Sequence, residues 1–141
     1  MRKILIATHF QLANGFRSSL DYFLGTPDNV TYINCFIDDS DFREEIAKFF
    51  DANSDENDEI VAFTDILNGS INQELGSYLG RAHYHLITGV NLPTLLEVMM
   101  RHPDEYLEED ELCDIISNCQ QSIIYFNAFA ATATVMGEED E

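Results

Sequence analysis

Four short apolar runs, at residues 4–7, 30–37, 60–64 and 83–88, alternate with segments in which apolar residues recur at helical spacing. A chain patterned this way must pair its strands in parallel, because each strand is followed by a helix-length crossover, and such crossovers are right-handed. Leu12, Phe16, Leu20 and Leu24 recur at a spacing of four, ahead of the helix-ending Gly25 and Pro27. Ser40 or Asp41 is placed to cap a helix with Phe42, Ile46, Phe49 and Phe50 on one face. A third helix follows Ser70 through Leu75, Tyr78 and Leu79, and a fourth follows Asn91 with Pro93 in its first turn, where no backbone donor is needed. Beyond Pro103 a further amphipathic helix runs through Leu112, Ile115 and Ile116. The expected fold is α/β: a doubly wound, mainly parallel four-stranded sheet with helices on both faces. A C-terminal helix and an edge or swapped antiparallel strand at residues 122–129 complete it, the strand resting on Ile123, Ile124, Tyr125 and Phe126.

At 141 residues and 45% apolar content, with no Pro/Gly/Ser-rich linker, the chain reads as one domain over 1–129 and an acidic, poorly ordered tail over 130–141. The start of the sequence is too short in apolar residues for a signal-peptide core, and no run approaches a membrane span, so a cytoplasmic location is expected. Cys35, Cys113 and Cys119 are odd in number and show no CxxC spacing, which fits reduced thiols rather than a disulfide framework or zinc knuckle.

The net charge of -19 argues against nucleic acid as a partner, since a polyanion needs Lys and Arg to displace its counterions and only seven are present. The charge is also unevenly placed. Residues 38–59 hold ten Asp/Glu against Arg43 and Lys48, and residues 104–141 hold eleven with no Lys or Arg. The remaining segments are neutral, so an anion can sit there while the acidic flanks attract a basic protein. Both acidic runs also read simply as solvated surface.

His9 and Asp65 lie in the neutral part, each just past the end of an apolar run. In open parallel sheets the chemistry sits beyond the carboxyl ends of the strands, so the two can meet although far apart in sequence. A histidine facing a carboxylate suits nucleophilic or proton-transfer work. The plainer readings are a packed or solvated His9 and an Asp65 that caps its own turn. His83 and His85 would face one side of a strand as a possible metal pair, but no carboxylate or thiolate lies near in sequence and a structural role is the stronger reading. His102 beside Pro103 reads as an exposed helix end.

Three segments resemble the IIA domains of the mannose/fructose/sorbose-type phosphoenolpyruvate-dependent sugar phosphotransferase system. Ala7-Thr8-His9-Phe10-Gln11-Leu12-Ala13-Asn14-Gly15 is similar to that family's phosphoacceptor turn. Thr64-Asp65-Ile66-Leu67-Asn68-Gly69-Ser70 resembles its Asp-x-x-Gly-Gly-Ser turn, and Thr88-Gly89-Val90-Asn91-Leu92-Pro93-Thr94-Leu95-Leu96-Glu97 its Gly-x-Asn-x-Pro-x-Leu-x-Glu segment. Together they span about residues 1–101 in the family's order. The chain departs from the pattern at Phe10, which replaces the Gly after the histidine, at Asn68, which replaces the first Gly of Gly-Gly-Ser, and at Ile71, which replaces the following Pro.

The resemblance implies a phosphoryl carrier that takes phosphate on His9 from the histidine phosphocarrier protein and passes it to a IIB component, serving the membrane permease indirectly. Asp65 would orient the histidine, and Thr8, Gly69 and Ser70 would hold the phosphate, Ser70 doubling as a helix N-cap. No cofactor or metal is implied. The family also implies a homodimer, for which the 123–126 run offers a crossing strand. Two related readings share the fold: the phosphotransfer subunit of a dihydroxyacetone kinase, and a regulatory binding domain that has lost onward transfer. A small metal-dependent enzyme using His83 and His85 is the reading from another class.

Overall fold

A computed structural model describes the backbone of residues 1–140 and the side chains of residues 1–133. Residues 1–106 close into one compact unit and residues from Leu107 onward form a second. In the first unit, strands β1 (Arg2–His9), β2 (Val30–Cys35), β3 (Glu59–Thr64) and β4 (Tyr84–Thr88) alternate with helices α1 (Leu12–Leu24), α2 (Phe42–Ala52), α3 (Ser70–Gly76) and α4 (Leu92–Met99). All strand pairings are parallel, in the order β2-β1-β3-β4. The connection direction therefore reverses between β1 and β3, the place where a doubly wound sheet opens a crevice.

The two central strands are buried on both faces, which is why they read as unbroken apolar runs. Leu5, Ala7, Ile60 and Ala62 pack with Ile33 and Cys35 under Phe42, Ile46, Phe49 and Phe50 of α2 and Ile71 and Leu75 of α3. Alternation sends Ile4, Ile6, Val61 and Phe63 to the opposite face, where α1 lies beside α4.

Local chemistry sets the helix ends. Gly25 ends α1 at φ 68°, a left-handed conformation that glycine adopts without a Cβ penalty, and its N–H donates to the Asp21 carbonyl. Asp41 caps α2 by accepting the Arg43 N–H at 2.9 Å, and Asn91 caps α4 by accepting the Thr94 N–H at 2.9 Å. Ser40 is not the cap; its hydroxyl instead donates to Asp38 and Glu45. The expected helix after Ser70 stops at Gly76, so Tyr78 and Leu79 lie beyond it, and Tyr78 stacks on Phe50 with centroids 3.8 Å apart.

At the amino ends of the strands, Arg2 and Glu59 are register partners on β1 and β3. The Arg2 Nε donates to Glu59 Oε1 at 2.6 Å, and both side chains are buried. The rest of the guanidinium donates to the carbonyls of Arg101, His102 and Glu105. Nearby, Arg81 donates to the carbonyls of Asn53, Asp55, Asp58 and Ala82, which ties the acidic loop before β3 to the start of β4.

In the second unit, α5 (Glu109–Gln120) has Leu112, Ile115 and Cys119 buried, as its apolar spacing predicts. The strand expected at 122–129 is not formed. Residues 122–125 are turn and coil, and α6 runs over Phe126–Asp140. The cause is local: the β-prone run is only four residues long and passes into Asn127-Ala128-Phe129-Ala130-Ala131, whose alanines favour helix. The acidic span 130–141 falls in α6 as far as Asp140, while Glu141 lies outside the described residues. No described helix is long and apolar enough to cross a membrane.

Candidate active site

The crevice between β1 and β3 holds His9 and Asp65 side by side. The Asp65 carboxylate accepts two kinds of bond from His9: Oδ2 takes the backbone N–H at 3.0 Å, and the ring Nδ1 lies 2.9 Å from Oδ2 and 3.1 Å from Oδ1. Burial alone would raise the Asp65 carboxyl, but the bonds from the His9 amide and ring and the ring's charge outweigh it and hold the group below the usual range. Asp65 is therefore an anion at neutral pH and can only accept. The hydrogen between them therefore belongs to Nδ1, and in the neutral imidazole it is Nε2 that carries the lone pair, on a side chain that is 29% exposed.

Two further contacts fix the imidazole. Phe36 stacks on it at 5.3 Å between centroids and 25° between planes. On another side stands Gly69: a Cβ there would come within 3.3 Å of His9 Cε1 and 3.3 Å of Ile66 Cγ1. Glycine serves close approach here rather than backbone freedom. Gly69→Ala should push a ring that Asp65 and Phe36 hold from two other directions. Since a 1 Å misplacement can cost a hundredfold, a shift of a few tenths of an ångström should slow any reaction at the His9 ring about tenfold with the melting temperature nearly unchanged. An unaltered rate in a single-turnover assay would show that the ring has room to yield.

Phe10, directly after His9, adopts φ 53°, where a side chain is disfavoured, and donates its N–H to the Cys35 carbonyl at 2.8 Å. That bond joins the turn after β1 to the end of β2. Phe10→Gly should remove the strain and raise stability by about 1 kcal/mol, read as a shift of the denaturation midpoint. No gain would mean that the exposed phenyl ring contributes enough packing to offset its backbone cost.

Thr8 is fully buried, and its Oγ1 accepts the Ala13 N–H at 2.8 Å, which anchors the first turn of α1. Gly69 stands beside His9 and occupies the N-cap position of α3, and Ser70 follows it as the first residue of that helix rather than as its cap. Behind this loop, Asn72 Oδ1 accepts the hydroxyls of Thr64 and Thr88 at 2.7 and 2.6 Å, fixing α3 to the ends of β3 and β4. Cys35 lies at the same end of the sheet. Burial, chiefly, together with Glu45 and Asp65, pushes its thiol up to about 12, so it is an inert packing residue.

His83 and His85 do not form a pair. His83 precedes β4 at φ 54° and stacks face to face on Tyr106 at 3.6 Å, while His85 Nε2 lies 3.8 Å from the Glu59 carboxylate. His102 Nδ1 lies 3.8 Å from Glu105. No cluster of three His, Cys, Asp or Glu side chains suited to a metal ion occurs among the described residues.

The loops that follow β1, β2 and β3 expose Phe10, Phe36, Ile37, Ile66 and Leu67, with Leu12 exposed at the start of α1, and Asp38, Asp39 and Asp41 follow Ile37 in sequence. An apolar surface of this kind with an acidic border belongs to a site that meets another protein rather than one that encloses a small molecule.

Fold and site together define a parallel α/β domain that presents one imidazole nitrogen, pinned from behind by a carboxylate, at the switch point of its sheet. Residues 3–117 match the mannose-type EIIA family, described as the PTS system fructose IIA component. The chain belongs to that family, whose members are phosphotransfer components of the sugar phosphotransferase system. It is similar to a Klebsiella pneumoniae protein assigned to the phosphoenolpyruvate-dependent sugar phosphotransferase system as a permease, with 28% identity and a TM-score of 0.80 over 89% of this chain and 91% of that one. It is also similar to phosphotransferase system component EIIA of Streptococcus agalactiae, with 27% identity and a TM-score of 0.75 over 91% and 99% of the two chains. The mannose/sorbose-specific IIA subunit of Enterococcus faecalis shares the fold at 14% identity, with a TM-score of 0.70 over 87% and 92%. No curated protein matches the chain.

Proposed function

We infer that His9 carries the phosphoryl group, accepting it on Nε2 from the phosphorylated histidine carrier protein and passing it to a IIB component during sugar uptake. The observation that carries this reading is the capture of Nδ1 by Asp65, which leaves Nε2 as the ring's nucleophile. In the transfer, the Nε2 lone pair forms the new N–P bond while the donor's P–N bond breaks and its electron pair returns to the donor imidazole. The proton stays on Nδ1, and the Asp65 carboxylate balances the positive charge that develops on the ring. Gly69 and the Ser70 hydroxyl, at the start of α3, would hold the phosphoryl oxygens. No cofactor or metal takes part.

The apolar surface and its acidic border suit a carrier protein with an apolar, basic-edged face. Phe10 sits within that surface where the family has glycine, so Phe10→Gly should change the rate of transfer from the donor; an unchanged rate would remove Phe10 from partner choice. The protein acts in the cytoplasm, serving the membrane permease through IIB. It forms a homodimer, a reading supported by the exposed Ile123, Tyr125 and Phe126 and checked by light scattering at micromolar concentration.

The test uses phosphoenolpyruvate, enzyme I and the histidine carrier protein, with intact mass read at neutral pH. Wild type should gain one acid-labile phosphate and His9→Ala none. A wild type that stays unmodified while the carrier protein is phosphorylated would move the assignment to a regulatory binding domain of the same fold.

A further inference from the structure

We propose that Phe36 is a positioning residue for the phosphoryl carrier, an aromatic wall that stabilises the charged, phosphorylated form of the His9 ring. The proposal rests on His9 being the phosphoacceptor. Asp65 holds the imidazole in its plane through Nδ1, whereas Phe36 holds it from the face, at 5.3 Å and 25°. That separation lies within the range of interacting aromatic pairs, and the two supports act along different directions.

Phe36 does not reach this place by default. Its backbone stands at φ 67°, a left-handed conformation that a bulky residue avoids, and β2 stops just before it, at Cys35, two residues short of the end of the apolar run. Strain of this sort persists where the surroundings over-determine it. Three contacts do so here. His9 and Cys35 are register partners, the Phe10 N–H donates to the Cys35 carbonyl at 2.8 Å, and the Phe36 ring leans on the buried Phe42 ring at 5.1 Å. The wall is thus braced from behind by α2 and tied at its base to the turn that carries His9.

Its consequence for the chemistry follows from where charge appears. Neutral imidazole becomes a ring that bears a proton on Nδ1 and a phosphoryl group on Nε2, and the ring itself turns cationic. An aromatic face stacked on a cation attracts it, while its attraction to the neutral ring is weaker. Phe36 therefore favours the phosphorylated state over the free one and shifts the equilibrium with the donor. Packing alone would change rates or stability and leave that equilibrium in place, since a catalyst's docking surface speeds transfer equally in both directions.

The experiment equilibrates wild type, Phe36→Leu, Phe36→Met and Phe36→Tyr with a fixed ratio of phosphorylated to free histidine carrier protein and reads the phosphorylated fraction by intact mass. The Leu and Met variants, which keep apolar bulk without a π-face, should lower the equilibrium constant about threefold to fivefold, the size expected of a partly exposed cation–π contact. Tyr should restore it to within about twofold of wild type. Leu and Met at the wild-type equilibrium, or Tyr as low as Leu, would overturn the proposal. A wild type that takes no phosphate at all would overturn the assignment of His9 as carrier and the proposal with it, which separates that failure from one confined to Phe36.

Discussion

Asp65→Asn should slow phosphorylation of His9 by about a hundredfold or more while the protein stays folded. The carboxylate takes the His9 backbone N–H, the ring Nδ1 and, through Oδ1, the Ile66 N–H at 3.1 Å. An amide keeps the shape and loses the charge. Its NH2 group, turned to Nδ1, would donate where the ring also donates, and the imidazole relieves the conflict by moving its proton to Nε2, which removes the lone pair that attacks phosphorus. The phosphorylated form would also lose the anion that balances its ring. Single-turnover phosphorylation of the variant measures the effect, and a rate within threefold of wild type would show that Asp65 only shapes its loop. Acid should act through the same group. Because the folded carboxyl lies below its ordinary value near 4, its contribution is fully present above about pH 4 and is lost as the pH falls through the folded value. From pH 5 to 8 Asp65 should add no slope to stability.

The largest stability effect lies at the other end of the sheet. Glu59→Ala should cost about 3–5 kcal/mol in denaturant unfolding, because it leaves the buried Arg2 guanidinium with carbonyl partners and no counter-charge. His85, 3.8 Å from the same carboxylate, loses its neighbour as well. The paired change Arg2→Met with Glu59→Leu should recover most of the loss, since a buried ion pair contributes little beyond an apolar pair of similar volume once both charges are gone. The exposed Arg17–Asp21 pair, 3.9 Å apart on one helix face, is a control whose removal should cost no more than about 0.5 kcal/mol. A loss below about 1 kcal/mol for Glu59→Ala would mean that water enters and solvates Arg2.

The sheet was legible in sequence because its two central strands are buried on both faces and so carry unbroken apolar runs. The pairing of His9 with Asp65 was legible for a related reason: both follow such runs, and parallel order brings the strands' ends together. Features decided by tertiary contact were not. That Thr8 is buried, its Oγ1 taking the Ala13 N–H in the first turn of α1, has no sign in the sequence. His83 reads as a strand residue, but its left-handed backbone and its stack on Tyr106 keep it out of β4. Ile123–Phe126 carries the β-branched signature of a strand, and no strand forms there because the residues beyond it favour helix. Phe36 reads as the continuation of β2, but its φ of 67° takes it out of the strand and its ring stacks on His9. The Arg2–Glu59 pair joins residues 57 positions apart and has no local sequence sign.

The central claim is that phosphate attaches to Nε2 of His9, because Asp65 reserves Nδ1. Phosphorylating protein labelled with nitrogen-15 in its histidine rings and reading which nitrogen couples to phosphorus tests it most directly. The account predicts a single phosphohistidine, at His9, with coupling at Nε2 and the proton still on Nδ1. Phosphate on Nδ1, or on His83, His85 or His102, would contradict it.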